Sequence, residues 1–380
     1  MRRRQMIGGA AALGVLAYGG AARAAAPIRI GLDAVLTGPG ADIGERIRRA
    51  AQWAIDLINQ RGGVTLPDGS RRMLELAAVD DQAKPDIGLN AIRRLVDDPA
   101  VVALLGPDWS SVTYPTLFVG EDAGIVQITS SVAQRITQGG LKHIFRARST
   151  DADWMAAMAD YVVAQGHPTI GVTYANNEFA RSGRTAFVRA LKERHDMAPA
   201  LELSYAVGDT DFTPIAGRLV QSGVTVVCNL GNEPEGALLI KALKELGFQG
   251  LFAFNSADSI FADLARQNAV GVVGPLSWVD TKSDDASRNF VAAYKKQFNE
   301  TPIGHSVIYF DAVNLLADAI AKAGPDRGAI LKYLKSVDNW NGVQGLYHPS
   351  APTGDMIHSC VVIRYDAQLV PQVVAVKNDT

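Results

Sequence analysis

Cysteine is scarce in this sequence, which has two among 380 residues, Cys228 and Cys360. Each lies within an apolar run typical of a β-strand, at 224–230 and 359–363. In an oxidising compartment the two could pair as a disulfide. The alternative is two buried thiols, which we favour because bridging geometry is demanding in the middle of a strand.

Patterns of catalytic and metal-binding residues are also missing. None of the six histidines stands at metal-ligand spacing from another histidine, a cysteine or a carboxylate pair. No serine lies in the frame of a nucleophile elbow. Asp80 and Asp81 are paired acids, but acids between a strand and a turn more often cap a helix than exchange protons. The sequence therefore predicts neither an enzyme nor a metal site.

One glycine-rich segment, at 38–44, follows a strand and opens a helix, as a dinucleotide-binding loop does. Pro39 stiffens the turn where the backbone should bend around a pyrophosphate. Asp80 and Asp81, which end the next strand, lie well beyond the roughly 20-residue spacing of a ribose-binding acid. We therefore expect no cofactor, and we interpret the segment as a turn at the carboxyl edge of a sheet, bordering a cleft.

Neither charge sign dominates the chain, whose formal net charge is −2 with 20% charged residues. No basic stripe is available to pair with phosphates, so the composition argues against nucleic-acid binding. After the first 26 residues there is no long apolar run. The remaining length is sufficient for two hydrophobic cores of about 150 residues each.

The first 26 residues have the pattern of a cleavable export signal. Arg2, Arg3 and Arg4 precede an apolar run at 6–16, and small residues close the segment at 22–26. The run is too short to cross a bilayer, which takes about 20 residues. The sequence allows cleavage after residue 24 or 26, and export by the general or the twin-arginine route. We expect a soluble mature protein outside the cytoplasm.

Strand and helix patterns alternate twice along the mature chain, over 28–128 and 153–254, with a break at 145–151. Their spacing fits parallel crossovers. Two α/β lobes suit this length better than one large sheet.

The last third departs from that alternation. Two long helices, predicted at 285–299 and 307–323, have no strand between them and are expected to cover a sheet already built. Runs at 359–365 and 372–376 predict an antiparallel strand pair. We predict an α/β fold of two Rossmann-like lobes with parallel-type sheets and a multi-crossover hinge, comprising 25–147 with 278–345 and 148–277 with 346–380.

Serine-rich segments follow two successive strands of the first predicted lobe. Ser110 and Ser111 follow the strand at 101–105, and Ser130 and Ser131 follow the next strand. Ser110 or Ser111 is predicted to cap a helix whose exposed N–H groups attract an anion such as a carboxylate. Side by side, the two segments favour a ligand site over two ordinary helix caps.

Several short motifs occur once each along the mature chain, and their order and spacing together are informative. They are 30–39, 54–64, Asp80-Asp81, Gly106 with Ser110-Ser111, 143–146 and 208–212. Together they resemble the leucine/isoleucine/valine-binding family, which are type I periplasmic binding proteins that serve ABC importers. The resemblance covers nearly the whole mature chain and implies a periplasmic receptor that delivers its solute to a membrane permease.

The resemblance also implies which residues bind the solute. Ser110 and the Ser130-Ser131 segment would hold its carboxylate, and Asp151 would meet its ammonium. The second lobe would close over it with further polar and aromatic residues, while Arg146 is interpreted as structural, near the hinge. The candidate ligand-binding residues are Trp109, Ser110, Ser111, Ser130, Ser131, Asp151, Phe179, Asn232, Glu233 and Ser256.

The sequence departs from the family at several ligand-facing positions. Asn255-Ser256 stand where branched-chain amino acid binders place a glutamate facing the ammonium. Glu233 or Asp258 would then substitute, or the ligand lacks an ammonium. Ile43 stands where the family can present an aromatic, and Trp109 is a new aromatic beside the carboxylate site.

The expected function is binding of a small carboxylate-bearing solute, a branched-chain or other hydrophobic amino acid, by lobes that close around it. We expect a monomer whose partners are the solute and an ABC-transporter permease. The first alternative is a binder of aromatic acids, amides or urea, suggested by Trp109 and the missing glutamate. The others are a ligand-sensing receptor module and an exported enzyme on a related scaffold.

Overall fold

The computed structural model describes residues 26–166, 168–349 and 353–377. The predicted export signal therefore lies outside the described residues. None of the helices in these ranges combines the length and the apolarity that a bilayer crossing needs.

The first half of the chain builds a five-stranded parallel sheet. The elements of this half of the chain are β1 (Ile28–Ala34), α1 (Ala41–Gln60), β2 (Val64–Thr65), β3 (Arg71–Arg72), β4 (Leu74–Asp80), α2 (Pro85–Asp97), β5 (Val101–Leu105), α3 (Ser110–Asp122), β6 (Val126–Thr129), α4 (Arg135–Gln138) and β7 (Ile144–Arg146). Strands β2 and β3 pair separately as a two-stranded sheet. The strand order is β4-β1-β5-β6-β7. In α1 the buried residues recur every three or four positions from Ile43 to Ile58, which is the stripe of a helix packed on a sheet.

The second half begins with α5 (Asp151–Val163), β8 (Ile170–Ala175), α6 (Glu178–His195), β9 (Leu201–Tyr205), α7 (Thr213–Gln221), β10 (Val226–Leu230), α8 (Glu233–Glu245), β11 (Leu251–Phe254), α9 (Ser259–Ala265) and β12 (Val273–Leu276). It continues with α10 (Asp285–Phe298), α11 (Gly304–Ala323), α12 (Arg327–Ser336), β13 (Trp340–Asn341), β14 (Leu346–Tyr347), β15 (Cys360–Tyr365) and β16 (Pro371–Lys377).

The second large sheet has seven strands in the order β16-β15-β12-β11-β10-β8-β9. The strands from β12 to β9 are parallel, and β15 and β16 are antiparallel. The predicted α/β fold with two parallel-type sheets is confirmed, and so is the antiparallel pair near the C-terminus.

Helix α11 returns to the first sheet, as the missing strand before it predicted, and α10 packs beside it against α1. On α11, Ile308 and Leu316 are buried in one core with Ile30 of β1. The expected lobe boundary at 346 is wrong, because Tyr347 and Met356 belong to this same first-lobe core. Single apolar residues between turns carry no periodic pattern that shows which sheet they contact. The other lobe boundaries stay predictions.

Both cysteines are buried thiols of the second lobe. Cys228 lies on β10 and Cys360 on β15, and strands β11 and β12 lie between them. Burial raises the pKa of the Cys228 thiol far above its ordinary value. The buried-thiol interpretation is confirmed.

Candidate functional site

A cavity lies between the two lobes, at the carboxyl ends of both sets of parallel strands. The loops after β1, β5, β6 and β7 and the start of α11 form one wall, and the loops after β8, β10, β11 and β12 form the other. The cavity volume is about 100 Å³, which is room for several water molecules at roughly 10–15 Å³ each. Ligands of open α/β sheets bind at this edge, and the size suits a small solute.

Eight of the ten predicted ligand-binding residues line this cavity, whereas Ser131 and Asp151 do not. The fold thus brings together residues from five separate loops, and their contacts with a ligand stay a prediction. The eight are Trp109, Ser110, Ser111, Ser130, Phe179, Asn232, Glu233 and Ser256.

Ser131 and Asp151 are turned into the protein instead. The Ser131 hydroxyl donates to the backbone carbonyl of Asp108 at 2.6 Å and is hydrogen-bonded to the Thr113 hydroxyl, so it joins the loop after β6 to α3. Asp151 begins α5 and is 1% exposed. Burial raises its pKa to about 7, although Ser182 and two arginines lower it. Neither side chain lines this cavity, so the predicted contacts of both residues with a ligand have no support from its walls and stay a prediction.

The serine-rich first-lobe loop holds a carboxylate of the chain itself. Helix α3 begins at Ser110 with Trp109 at the N-cap position, so the prediction that Ser110 or Ser111 caps it is wrong. The Ser130 hydroxyl donates to the Asp108 carboxylate, and the Ser110 hydroxyl accepts a backbone N–H of the neighbouring loop at 3.4 Å. Asp108 was not among the predicted site residues, although it stands in the same strand-end loop as the serines.

Trp109 packs over the turn that resembles a dinucleotide loop. Gly40 has a φ of 90°, and a Cβ there would lie 2.6 Å from Cζ2 of the Trp109 ring. Both the backbone conformation and the close approach require glycine. The segment is therefore a turn at the cleft edge, as the sequence predicted.

Arg148 supplies a permanent positive charge on the cavity wall. Its guanidinium lies 4.2 Å from the centroid of the Trp154 ring, and its Nη1 lies 3.3 Å from Nε2 of His305. That Nε2 lies 3.6 Å from Oδ1 of Asp108. Burial lowers the pKa of His305, the Asp108 carboxylate raises it and Arg148 lowers it; the net shift is downward, which favours the neutral ring. Neither residue was predicted from the sequence, because they come from a crossover and a helix start without a local motif.

Two loops brace each other on the second-lobe wall. The Asn255 side-chain oxygen accepts the Gly231 N–H at 2.9 Å, and the Ser256 hydroxyl donates to the Gly231 carbonyl at 3.0 Å. These bonds fix the backbone that leads directly to Asn232 and Glu233 at the start of α8. The wall is therefore preorganised by hydrogen bonds that lie behind it.

Two carboxylates on this wall repel each other. Burial raises the pKa of Glu233 well above its ordinary value, and the charge of Asp258 raises it further. Asp258 caps α9 by accepting the N–H groups of Ile260 at 3.0 Å and Phe261 at 3.1 Å. Burial nevertheless raises the pKa of Asp258 to about 6. A cationic group of a ligand would relieve the repulsion and favour both charged forms.

The metal-binding side chains of the described ranges do not form a group of three or more that could hold a metal ion. The cavity walls offer instead one guanidinium, several carboxylates and aromatic rings, which are groups that bind organic solutes.

A family model described as "Periplasmic binding protein" matches residues 27–368. The chain belongs to the periplasmic binding protein family. The resemblance that the motifs indicated is confirmed, and the interlobe cavity of this periplasmic binding protein lies within the matched residues.

Relatives of this periplasmic binding protein are similar over most of their length. A Leu/Ile/Val-binding protein homolog of Brucella melitensis is 27% identical, covering 83% of this chain and 85% of the relative. A leucine-, isoleucine-, valine-, threonine- and alanine-binding protein of Pseudomonas aeruginosa is 28% identical, covering 83% of each. Among solved structures, a leucine-binding protein of Thermotoga maritima superposes with a TM-score of 0.82 at 21% identity, covering 92% of this chain and 99% of the other. That likeness shows the shared fold.

Proposed function

We propose that this protein is the solute-binding component of an ABC importer and carries a small amino-acid-like solute to a membrane permease. The observation that carries this proposal is a cavity with opposite charges on its walls. Arg148 lies on one side, and Glu233 and Asp258 lie on the other. A solute with both a carboxylate and an ammonium complements these groups. The names of relatives that bind leucine, isoleucine and valine support an amino-acid class.

Delivery requires the two lobes to close over the solute. At the rim, Arg135 of α4 and Glu178 of α6 form a 2.6 Å ion pair, and the Gln134 N–H donates to the Ser182 hydroxyl at 3.0 Å. Such contacts exist only when the lobes are together. A solute that touches both walls therefore binds the closed arrangement better and shifts the population toward it. The closed monomer is what the permease partner would recognise.

A second candidate is an aromatic acid, which the cavity lining favours. Four aromatic rings line the cavity, those of Trp109, Trp154, Phe179 and Trp278. They suit a flat apolar body, and Arg148 would then hold its carboxylate. Such a ligand would leave Glu233 without a partner.

Calorimetry tests the proposed function. The protein is unfolded in denaturant, dialysed and refolded to remove retained solute, and is then titrated with aliphatic, basic and aromatic amino acids, aromatic acids, amides and urea. We expect one saturable site per monomer and unchanged solute after hours of incubation. Absence of saturable binding to every member of the panel contradicts the proposal, and turnover of the bound solute would indicate an enzyme.

A further inference from the structure

We infer that Asp108 makes this cavity selective for a small organic cation, a solute whose amine or guanidinium group binds between the acidic side chains of the two lobes. The inference rests on the proposed solute-binding function and narrows its solute class. Among amino-acid-like solutes, those with an additional cationic group are favoured, and simple acids are disfavoured.

Asp108 presents a negative charge on the first-lobe wall. Its side chain is 10% exposed and lines the cavity. It accepts a hydrogen bond from the Ser130 hydroxyl. The Nε2 of His305 lies 3.6 Å from Oδ1 of Asp108, and burial lowers the pKa of His305, which favours its neutral form. In the described part of the chain no lysine or arginine nitrogen is paired with Asp108 within 4.0 Å. The charge is therefore not compensated by a fixed ion pair.

The opposite wall carries two further acidic side chains, whose charged forms a bound cation would favour. Glu233 and Asp258 line the cavity, and neither is paired with a lysine or arginine within 4.0 Å among the described residues. Three carboxylates thus surround a space to which Arg148 contributes one positive charge. Charges in a water-poor site interact strongly, so a solute with net positive charge gains affinity and a solute with net negative charge loses it.

The serine hydroxyls of the first lobe do not offset this preference. The Ser130 hydroxyl donates to Asp108 and the Ser131 hydroxyl donates to a backbone carbonyl, so neither has its proton free for a solute carboxylate. A carboxylate at this position would also meet the charge of Asp108. The rings of Trp109 and Phe179 line the same space, and aromatic faces attract cations as well as apolar groups.

The test is a calorimetric comparison of wild type and Asp108→Asn. The probes are agmatine and putrescine, which are cations without a carboxylate, lysine and arginine, which have one, and leucine and benzoate. The matched control is Asp122→Asn, which removes the same charge from the exposed far end of α3, about 18 Å along the helix from its start. Asp108→Ala is a second variant without the amide, and thermal unfolding verifies that each variant is folded.

We expect the wild type and the Asp122 variant to bind at least one cation about 10-fold or more tightly than leucine. Asp108→Asn is expected to weaken that cation by about 30-fold or more and to bind leucine or benzoate more tightly than the wild type does. A gain of affinity cannot come from a misfolded variant. Wild-type preference for leucine or benzoate, or equal losses for all probes in Asp108→Asn, overturns the inference while leaving the proposed function intact. Absence of binding to all probes and to the wider panel overturns both.

Discussion

Replacing Arg146 by methionine is expected to lower the free energy of unfolding by about 3–5 kcal/mol. Arg146 is fully buried, donates to the carbonyls of Val132 and Ala133 at 2.6 and 3.0 Å, and lies 3.2 Å from a carboxylate oxygen of Asp355. Asp355 is 5% exposed, so the variant leaves a buried carboxylate with the Thr137 hydroxyl as its remaining side-chain donor. Urea unfolding followed by circular dichroism measures the loss.

Two controls separate the buried ion pair from a general effect of losing an arginine. Arg93→Met changes an exposed position on α2, and we expect a change within about 0.5 kcal/mol. The double variant Arg146→Met, Asp355→Leu removes both charges and is expected to recover much of the stability, because an apolar pair can replace a buried ion pair. If Arg146→Met lowers the free energy of unfolding by less than about 1 kcal/mol, the ion pair between Arg146 and Asp355 does not stabilise the fold as expected.

Glu233→Gln is expected to weaken binding of the cognate solute by about 2–5 kcal/mol, because it removes the charge that faces the ammonium or guanidinium group. The affinity of the wild type should also rise with pH. In the solute-free protein burial raises the pKa of Glu233, and Asp258, Asp108 and Glu235 repel its charged form. The bound cation favours that charged form, so binding releases a proton and strengthens as the pH rises through the raised pKa. Titrations at several pH values measure both effects.

The matched control for this variant is Glu245→Gln at the other end of α8. Glu245 is exposed, with 65% of its side chain accessible, and it lies outside the cavity. We expect wild-type affinity and a wild-type pH slope for it. A Glu233→Gln variant that binds as tightly as the wild type, with the same slope, would mean that Glu233 does not contact the solute.

Much of the fold was predictable because its signals are local. The apolar stripe of α1 and the apolar run of β5 each identify their element without reference to the rest of the chain. Strand β12 has the sequence Val-Gly-Pro-Leu at 273–276, where glycine and proline hide the strand pattern, and it was missed. The lobe assignment of Tyr347 and Met356 also failed, because it depends on tertiary packing alone.

From the residues alone, the site was predictable where a polar residue follows an evident strand. Ser110, Ser111 and Ser130 were found in this way, because the carboxyl ends of parallel strands share one edge, whereas Phe179, Asn232 and Glu233 came from the family resemblance. The direction of a hydroxyl is not local information, which is why Ser131 was misplaced: it donates to a carbonyl of a loop 23 residues away. His305 was missed because it reaches the cavity from a helix that returns late in the chain.

The central claim is that one solute holds the two lobes together, and the distance between α3 and α6 tests it most directly. Phe118 of α3 and Thr185 of α6 are exposed and line the groove between the lobes, so spin labels on Phe118→Cys and Thr185→Cys report closure. The native cysteines are buried and should escape labelling. In pulsed electron paramagnetic resonance we expect a longer, broader distance without solute and a shorter, narrower one at saturation. An unchanged distance distribution under conditions where calorimetry shows the site to be filled would contradict this account.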